Sequence, residues 1–403
     1  MTTLDLSDIQ GNILRGFHKR DARHFGLAVD GASAAARLLA LMVSDDESKA
    51  PQVTTAAKWD ARPRFCINIG LTAAGLRAIG VSESIVGLFP ETFTRGPSHN
   101  AAGIGDKGNS APEHWEVGGP NTDAVHVLIS LFTDEERDPC LEEMSRRLTQ
   151  LFQEHKLRVV WRRDGWTQPD DKVHFGYRDG IAQPRIAGQD RGMRPDMQPD
   201  ADPGEFLLGN NYTNPFGGNY LGDIPREIGT NATYAAMRVL EQDVPAFEDF
   251  LSRAGSRFNL HPEVVAAKLM GRWRNGTPLT LAPQLTTDAS GNPAQPTVDN
   301  GKLNKFDYAP TAGNPAYFDD ADGMRCPIGS HIRRLNPRSA LVMGKPHSRR
   351  IIRRGMSYGP VFDPTDPTSA DKERGLIGYF ICGDLELQFE FLLQVWANMD
   401  MST

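Results

Sequence analysis

Short apolar runs alternate with segments of helical periodicity along most of this chain. In the N-terminal half, three runs of strand length each lead into a helix-like segment, and a fourth run follows the clearest helix. The four runs cover residues 24–29, 64–71, 124–132 and 157–163. They predict four β-strands separated by helices.

The clearest helix of the N-terminal half follows Thr133. Thr133 and Glu136 have the spacing of a capping box, in which two side chains satisfy backbone amides at the start of a helix. Apolar residues then recur on one helical face, at Leu141, Met144, Leu148 and Leu151. We therefore predict a helix that begins at Thr133.

The C-terminal half repeats the alternation of strand and helix. Its pattern predicts a strand, two helices, a second strand and a last helix, at residues 233–240, 245–257, 262–273, 376–382 and from 385 onward. Asp384 is the predicted N-cap of the last helix. The apolar face of that helix contains Leu385, Phe389, Leu392 and Trp396.

The two halves predict an α+β protein of two similar lobes, each an antiparallel sheet with helices on one face. The lobes would comprise residues 1–185 and 186–403. Two long connections, 183–231 and 275–325, are rich in Gly, Pro, Asn and Asp. Connections of this length are usually functional or disordered, and these two flank the motifs described next.

The overall composition is that of an ordinary globular protein. The four cysteines form neither CxxC nor CxxCH, which excludes a zinc ribbon, a redox pair and covalent attachment of a haem. No apolar run approaches the roughly 18 residues that a membrane helix needs, and the N-terminus lacks the pattern of a signal peptide. We therefore expect a cytoplasmic protein that does not bind membranes. The net charge of -7 argues against nucleic-acid binding.

One basic stretch, residues 323–362, contains no Asp or Glu. Its basic residues are Arg325, Arg333, Arg334, Arg338, Lys345, Arg349, Arg350, Arg353 and Arg354. Such a concentration of one charge usually faces a phosphate, a carboxylate or a nucleic-acid backbone. A histidine among arginines, such as His331 or His347, also suggests an anionic cofactor that carries a metal. Haem, with two propionates and an iron, fits both descriptions.

These residues also have simpler interpretations. The arginines could be solvated or could pair with carboxylates from the rest of the chain. A single histidine such as His331 is more often a hydrogen-bonded structural residue than a ligand. Asp179, in the sequence HFGYRDGIAQPR, belongs to an Asp-Gly pair of the kind that usually marks a turn. However, Gly176 and Gly180 on either side of Asp179 would let the backbone approach a bulky ligand closely.

In combination, these motifs resemble those of the dye-decolourising peroxidase family of haem proteins. The resemblance covers nearly the whole chain. It rests on DIQGNILRGF at 8–17, GYRDG at 176–180, GSHIRRLNPR at 329–338, IIRRG at 351–355 and DLELQFEFLLQVWAN at 384–398. It implies two ferredoxin-like lobes of the dimeric α+β barrel type, with one non-covalent haem b held mainly by the C-terminal lobe. The implied substrates are hydrogen peroxide and aromatic electron donors such as anthraquinone dyes and phenols.

The resemblance also implies a role for particular residues. His331 would be the proximal iron ligand, Asp179 the distal acid-base residue and Arg353 the distal cation. The other residues implied to bind the cofactor are Arg338, as a propionate partner, Ile181 and Gln183. Tyr358 matches a position that some members use to oxidise bulky substrates at the surface.

Several alternatives remain open at this point. The chain could bind haem without peroxidase turnover, Cys326 could be a thiolate ligand in place of His331, or the basic stretch could bind a polyanion. The second nitrogen of His331 is expected to donate to a carboxylate, and the candidates are Asp384, Glu386 and Glu390. Gly378 stands where many relatives have a bulky apolar residue beside the haem, which leaves the shape of the distal pocket undetermined.

The use of a carboxylate as the distal base predicts an acidic pH optimum for dye oxidation. A carboxylate stays ionised well below the pH at which a histidine becomes protonated, so a carboxylate base keeps working in acid. Steady-state rates with peroxide and an anthraquinone dye, measured across the pH range, test this expectation. An optimum above neutrality would contradict the role of Asp179 as the working base.

Overall fold

The strands and helices are described for residues 4–189, 198–212, 221–309, 319–340 and 346–399 of a computed structural model. Lys345 of the basic stretch lies outside these residues. The strands are β1 (Asp21–Val29), β2 (Cys66–Leu71), β3 (Val127–Thr133), β4 (Leu157–Trp166), β5 (Tyr234–Glu241), β6 (Thr286–Thr287), β7 (Pro293–Ala294), β8 (Ile352–Tyr358) and β9 (Gly375–Cys382). The α-helices are α1 (Gly11–Leu14), α2 (Ala32–Leu41), α3 (Ala73–Ala78), α4 (Glu83–Val86), α5 (Glu91–Thr94), α6 (Leu141–Glu154), α7 (Arg226–Gly229), α8 (Val244–Phe258), α9 (Pro262–Met270) and α10 (His331–Leu335). No helix within these ranges is both long enough and apolar enough to cross a membrane.

Seven strands form one antiparallel sheet in the order β2-β3-β1-β4-β8-β9-β5. The first four strands, with α2 after β1 and α6 after β3, have the β-α-β-β-α-β arrangement of a ferredoxin-like unit. The strands β8, β9 and β5 form the C-terminal part, and a single residue pair, Trp166 with Ser357, joins it to β4. The predicted α+β class with antiparallel strands is confirmed. The predicted division at residues 185 and 186 stays a prediction.

The N-terminal core lies between the sheet and its two long helices. Its fully buried side chains come from both layers and include Leu27, Leu38, Ile67, Leu131, Leu148 and Phe152. Burial of each such side chain contributes about 1.5–3 kcal/mol relative to exposure. This core explains why the apolar periodicity of α6 is visible in the sequence.

The two faces of β9 have different surroundings because successive side chains of a strand point to opposite faces. Tyr379 and Ile381 belong to a second core together with Ile9, Ile13 and Phe206. The other face of the strand, with Gly378 and Phe380, borders a cavity. The C-terminal sheet therefore separates a packed core from an open pocket.

The predicted start of α6 is wrong. Thr133 is the last residue of β3 and is completely buried, and the helix begins eight residues later at Leu141. The Glu135 carboxylate accepts hydrogen bonds from the backbone amides of Cys140, at 3.0 Å, and Leu141, at 2.8 Å. Glu135, and not Glu136, therefore satisfies the amides at the start of this helix.

The end of α9 also differs from the prediction, which extended it to residue 273. The helix ends at Met270 because Gly271 adopts the left-handed conformation, with a φ of 87°. A Cβ atom at Gly271 would lie 2.5 Å from Cγ1 of Ile332, so the chain also passes close to α10 at this point. Only glycine combines this conformation with this contact.

The last helix is π-helical over Leu385–Glu390 and Leu392–Ala397. Asp384 is its N-cap, as predicted, and its side chain accepts a hydrogen bond from the Leu387 amide at 2.8 Å. Phe389, Leu392 and Trp396 are buried. Their spacing predicted the buried face of the helix correctly, whereas it did not reveal the wider turn.

Replacing Glu135 by Ala should destabilise the protein by about 0.5–2 kcal/mol, the usual cost of losing a helix cap. The matched control is Glu136→Ala, because Glu136 is 80% exposed and makes only a long ion pair with Arg20 at 3.7 Å. The free energy of unfolding in denaturant should be nearly unchanged by the control. Equal effects of the two substitutions would contradict the assignment of the cap.

Candidate active site

A cavity of about 410 Å³ lies against the face of the C-terminal sheet that is formed by β5, β8 and β9. The opposite walls come from α10, the end of α9 and the segment 173–185 that carries Asp179. A volume of this size is typical of ligand and cofactor sites. The cavity brings together all of the predicted site residues except Tyr358.

His331 is the first residue of α10, and its side chain faces the cavity. The imidazole is in contact with the open cavity, and the cavity itself is enclosed by protein. Burial, followed by the nearby positive charge of Arg353, lowers the pKa of His331 to about 4. The ring is therefore neutral at ordinary pH, as a metal ligand must be. It has no hydrogen bond to any residue that the structure describes.

Asp179 and Arg353 form an ion pair at the cavity wall. Nη1 of Arg353 lies 3.3 Å from Oδ1 of Asp179, and Nη2 donates to the carbonyl of Ala182 at 3.2 Å. Both side chains remain more than a third exposed, so solvent or a small ligand can reach them. The sequence places these residues 174 positions apart, and the fold brings them into direct contact.

The glycines beside Asp179 shape the backbone around it. Gly176 and Gly180 have φ values of 83° and 72°, in the left-handed region that favours glycine. The Asp179 amide donates to the carbonyl of Asp171 at 2.9 Å, which fixes the turn. The Asp-Gly pair thus does mark a turn, and the same turn presents the carboxylate to the cavity.

Gln183 holds the backbone of Arg353. Its Oε1 accepts from the Arg353 amide at 3.0 Å, and its Nε2 donates to the Arg353 carbonyl at 2.9 Å. The amide side chain thereby makes the two backbone hydrogen bonds that a neighbouring β-strand would make to Arg353. Gln183 and Ile181 both line the cavity, and Gln183 in addition determines where the Arg353 side chain begins.

Two buried arginines give the cavity wall a positive charge. Arg338 is 2% exposed, donates to the carbonyl of Phe306 at 2.7 Å and lies 3.7 Å from the centre of the Phe306 ring. Arg272 is 6% exposed and donates to the carbonyls of Gly276 and Leu303. Among the described residues no carboxylate pairs with Arg272. Burial, followed by the charge of Arg338, lowers the pKa of Arg272 to about 9.

The charges that line the described cavity are strongly unequal. Asp179 is the one carboxylate, whereas eight arginines contribute to the walls. These are Arg178, Arg185, Arg238, Arg272, Arg338, Arg350, Arg353 and Arg354. Four of these arginines pair with carboxylates, namely Arg185, Arg238, Arg350 and Arg353. Arg272 has no described carboxylate partner, and burying a cation without a counter-charge is costly, so the wall around Arg272 favours an anionic ligand. An imidazole, a positive wall and this volume fit haem, which carries an iron and two carboxylates.

Part of the basic stretch has the simpler interpretation that the sequence left open. Arg333 pairs with Asp320 at 3.3 Å, and Arg350 pairs with Glu205 at 2.7 Å. In both pairs the partners come from outside the stretch. The stretch is therefore not a uniform basic surface, which weakens the interpretation as a polyanion-binding face.

Comparison with known proteins identifies the family of the chain. Residues 8–167 match the model of the DyP dimeric alpha+beta barrel domain. Peroxidase 2 of Mycetinis scorodonius is 28% identical over 98% of this chain and 73% of its own length. A multifunctional dye peroxidase of Amycolatopsis is also 28% identical, over 98% of this chain and 81% of its own length. Among solved structures, a dye-decolorizing peroxidase in complex with 2,6-dimethoxyphenol has a TM-score of 0.78 and 26% identity, covering 98% of this chain and 85% of that chain.

This chain belongs to the dye-decolourising peroxidase family. A second solved member, from Auricularia auricula-judae, has a TM-score of 0.77 and 26% identity over 99% of this chain and 85% of its own. The family assignment confirms the expected dimeric α+β barrel domain. It also accounts for a cavity with the charge and volume described above, because peroxidases of this family bind haem.

The surface location that the family resemblance implied for Tyr358 is wrong. Its side chain is only 3% exposed, and the Arg163 guanidinium covers it at 4.6 Å from the ring centre. Burial raises the pKa of Tyr358 to about 12. A bulky donor therefore cannot touch this tyrosine directly, and a role of Tyr358 in donor oxidation stays a prediction.

The alternative ligand and the expected carboxylate partners are also located by the structure. Cys326 is completely buried and its sulfur lies 3.2 Å from Oγ of Ser330, away from the cavity lining. Burial raises the pKa of this thiol, which disfavours a thiolate. Asp384 caps its own helix, and Glu390 accepts from Asn100 at 2.7 Å. Glu386 is exposed. None of these three carboxylates lines the cavity.

Arg272 is the residue of this site that the sequence did not reveal. It lies outside the carboxylate-free stretch, in the sequence GRWRNG directly after α9. Nothing in that sequence distinguishes Arg272 from Arg274, which pairs with Glu248 at 2.8 Å. Only the fold shows that one of these two arginines faces the cavity without a carboxylate.

Gly378 should not tolerate a larger residue in the present backbone. A Cβ atom there would lie 2.6 Å from the Arg354 carbonyl oxygen and 2.7 Å from Cα of Gly355, both on the paired strand β8. Gly378→Ala is expected to lower the free energy of unfolding by about 1–3 kcal/mol, as overpacking usually does. The expected change is measured by unfolding in denaturant.

Gly355→Ala is the matched control for this substitution. Gly355 pairs with Gly378 across the same two strands, but its added Cβ would meet nothing closer than the Ile377 carbonyl oxygen at 3.6 Å. We expect a change of less than about 1 kcal/mol there. If the two variants were equally stable, the close approach of β8 to Gly378 would not limit this position.

Proposed function

We propose that this chain is a haem peroxidase that reduces hydrogen peroxide and oxidises bulky aromatic donors such as anthraquinone dyes and phenols. The observation that carries the proposal is that the His331 imidazole and the Asp179–Arg353 pair open into one cavity with a positively charged wall. A haem bound there would supply a redox-active iron that reacts with peroxide and then withdraws electrons from donors.

His331 is proposed to hold the iron. Its neutral ring has a free lone pair at ordinary pH, and it is fixed at the start of α10, which packs against the π-helical segment. Arg272 and Arg338 are proposed to receive the propionates. The propionate carboxylates would supply the counter-charge that the buried guanidinium of Arg272 otherwise lacks among the described residues.

Asp179 is proposed to move the proton of hydrogen peroxide. Cleavage of the O–O bond requires a base that removes the proton from one oxygen and delivers it to the other, which then leaves as water. A positioned acid-base group of this kind typically contributes about 10² to 10⁴ in rate. Asp179 is suited to this task because its carboxylate is partly exposed to the cavity and its orientation is fixed by Arg353.

Arg353 is proposed to stabilise the negative charge that develops on the oxygens. Its planar guanidinium can contact peroxide and the Asp179 carboxylate in one plane. By analogy with an oxyanion-hole donor, its contribution is about 10² to 10³ in rate. Gln183 is a positioning residue, because it fixes the Arg353 backbone and not the reacting oxygens.

Substitution of the two distal residues tests the proposal. Protein loaded with haem should show a Soret band, and Asp179→Asn and Arg353→Leu should keep that band. Turnover of an anthraquinone dye with peroxide should fall by about 10² to 10⁴ in the first variant and about 10² to 10³ in the second. His331→Ala should instead change or abolish the haem spectrum.

Asp170→Asn is the matched control, because Asp170 is an exposed carboxylate close to Asp179 in sequence. It should keep the turnover of the original protein. Full turnover of Asp179→Asn would contradict the role of Asp179 as the base. A haem spectrum without turnover in the unmodified protein would indicate a haem-binding protein that is not a peroxidase. Absence of a Soret band after haem addition would contradict the cofactor assignment itself.

A further inference from the structure

A buried polar cluster lies between the two parts of the sheet, behind the cavity. His24 of β1, Ser130 of β3 and Tyr379 of β9 contribute its side chains. Nδ1 of His24 lies 2.8 Å from Oγ of Ser130 and 3.3 Å from the Tyr379 hydroxyl, and Ser130 and Tyr379 are hydrogen-bonded to each other. His24 and Ser130 are at most 2% exposed. The cluster is therefore closed to bulk water.

Tyr379 connects this cluster to the cavity. It is one residue from Gly378 and from Phe380, and all three contribute to the cavity lining. The phenol itself lies on the other face of β9, in the second core, so the backbone of this strand separates it from the cavity. Because Tyr379 is 9% exposed, a bulky donor in solution cannot reach it.

Three tyrosines line the described cavity, and their hydroxyl groups have different partners. Tyr177 donates to the carbonyl of Ala266 at 2.8 Å, and a carbonyl cannot take up a proton at ordinary pH. The buried hydroxyl of Tyr308 has no hydrogen-bond partner among the residues that the structure describes. Tyr379 alone among the three contacts an imidazole, which is a base.

This difference matters for oxidation. A phenol that loses one electron becomes a very strong acid, so a buried tyrosine can be oxidised easily only where a base takes its proton. Burial keeps the His24 ring neutral by lowering its pKa to about 4, and the opposing influence is the Asp164 carboxylate. In the tautomer that has its hydrogen on Nε2, the neutral ring offers Nδ1 as the proton acceptor to the two hydroxyl groups.

We propose that Tyr379 is a one-electron redox site whose proton is taken up by His24. The inference rests on the proposed function, because the peroxide-oxidised cofactor is the electron acceptor. Tyr379 gives one electron to that acceptor, and its O–H proton passes to Ser130 while Ser130 passes its own proton to Nδ1 of His24. The products are a neutral tyrosyl radical, an imidazolium and a cofactor reduced by one electron, and Ser130 is unchanged.

The same proton path makes the step reversible. When an electron returns to the radical, the proton moves back from His24 through Ser130, and the cluster is restored without exchange with solvent. Tyr379 would thus store an oxidising equivalent inside the barrel, where an aromatic donor cannot touch it directly. A purely structural cluster that only joins β1, β3 and β9 has the same contacts but forms no radical.

Electron paramagnetic resonance of freeze-quenched samples tests this proposal. Haem-loaded protein mixed with hydrogen peroxide should give a tyrosyl signal that changes on incorporation of ring-deuterated tyrosine. Tyr379→Phe should abolish that signal, whereas Tyr308→Phe and Tyr177→Phe should keep it. In deuterated water the signal should lose a proton coupling from the hydrogen bond, and His24→Gln should abolish the signal because the proton acceptor is removed.

Each other outcome contradicts the proposal. A tyrosyl signal that survives in Tyr379→Phe, or its absence from the unmodified protein, shows that the cluster is structural. A missing Soret band would contradict the proposed function separately. In that case the haem-free protein is oxidised by a ruthenium(III) complex in a flash-quench experiment. A tyrosyl radical that forms in the unmodified protein and is lost in both Tyr379→Phe and His24→Gln supports the inference. Any other result overturns it.

Discussion

The register between β8 and β9 is the constraint on which the rest of the structure depends. Arg353 pairs with Phe380, and Arg354 pairs with Tyr379. Because side chains alternate across a strand, a slip of one residue would move Arg353 away from the cavity and bring Arg354 into its place. The close contact of Gly378 with the Arg354 carbonyl and the two hydrogen bonds of Gln183 to Arg353 both hold this register. The distal pair and the Tyr379 cluster are thus placed on opposite faces by one pairing.

Electrostatics explains why such a cavity persists in a protein of net negative charge. Carboxylates pair several arginines inside and outside the cavity wall, as with Arg350 and Arg333, whereas no described carboxylate pairs with Arg272 of the wall. Arg272 and Arg338 lie on the Phe306 ring, at 5.2 Å and 3.7 Å from its centre. Carbonyl oxygens and an aromatic face keep both guanidiniums in place, and no described carboxylate pairs with Arg272. An anionic ligand would therefore stabilise the folded state as well as occupy the site.

The sequence predicted the helices whose apolar periodicity results from packing on a core. It did not predict the helix bounds and the side-chain exposure that depend on contacts between residues distant in sequence. The apolar faces of α6 and of the last helix appear in the pattern because each packs on a core. The start of α6 did not, because Thr133 belongs to β3 and a side chain from the turn, Glu135, provides the cap. Strand β8 was not predicted at all, since its arginines mask the alternation. At the site, motifs located Asp179, Arg353 and His331, whereas the exposure of Tyr358 depended on Arg163 of another strand.

Two histidines with lowered pKa values show why residue type alone does not determine function. The surrounding protein lowers the pKa of both His24 and His331 to about 4, so both rings are neutral, but only His24 is closed off from open space. His24 is enclosed by two hydroxyl groups, so its lone pair is directed at a proton donor. His331 faces an open cavity and has no hydrogen bond within the described part of the chain, so its lone pair is available to a metal. The surroundings therefore make His24 a proton acceptor, because hydroxyl groups contact its ring. They make His331 a candidate metal ligand, because its ring faces open space.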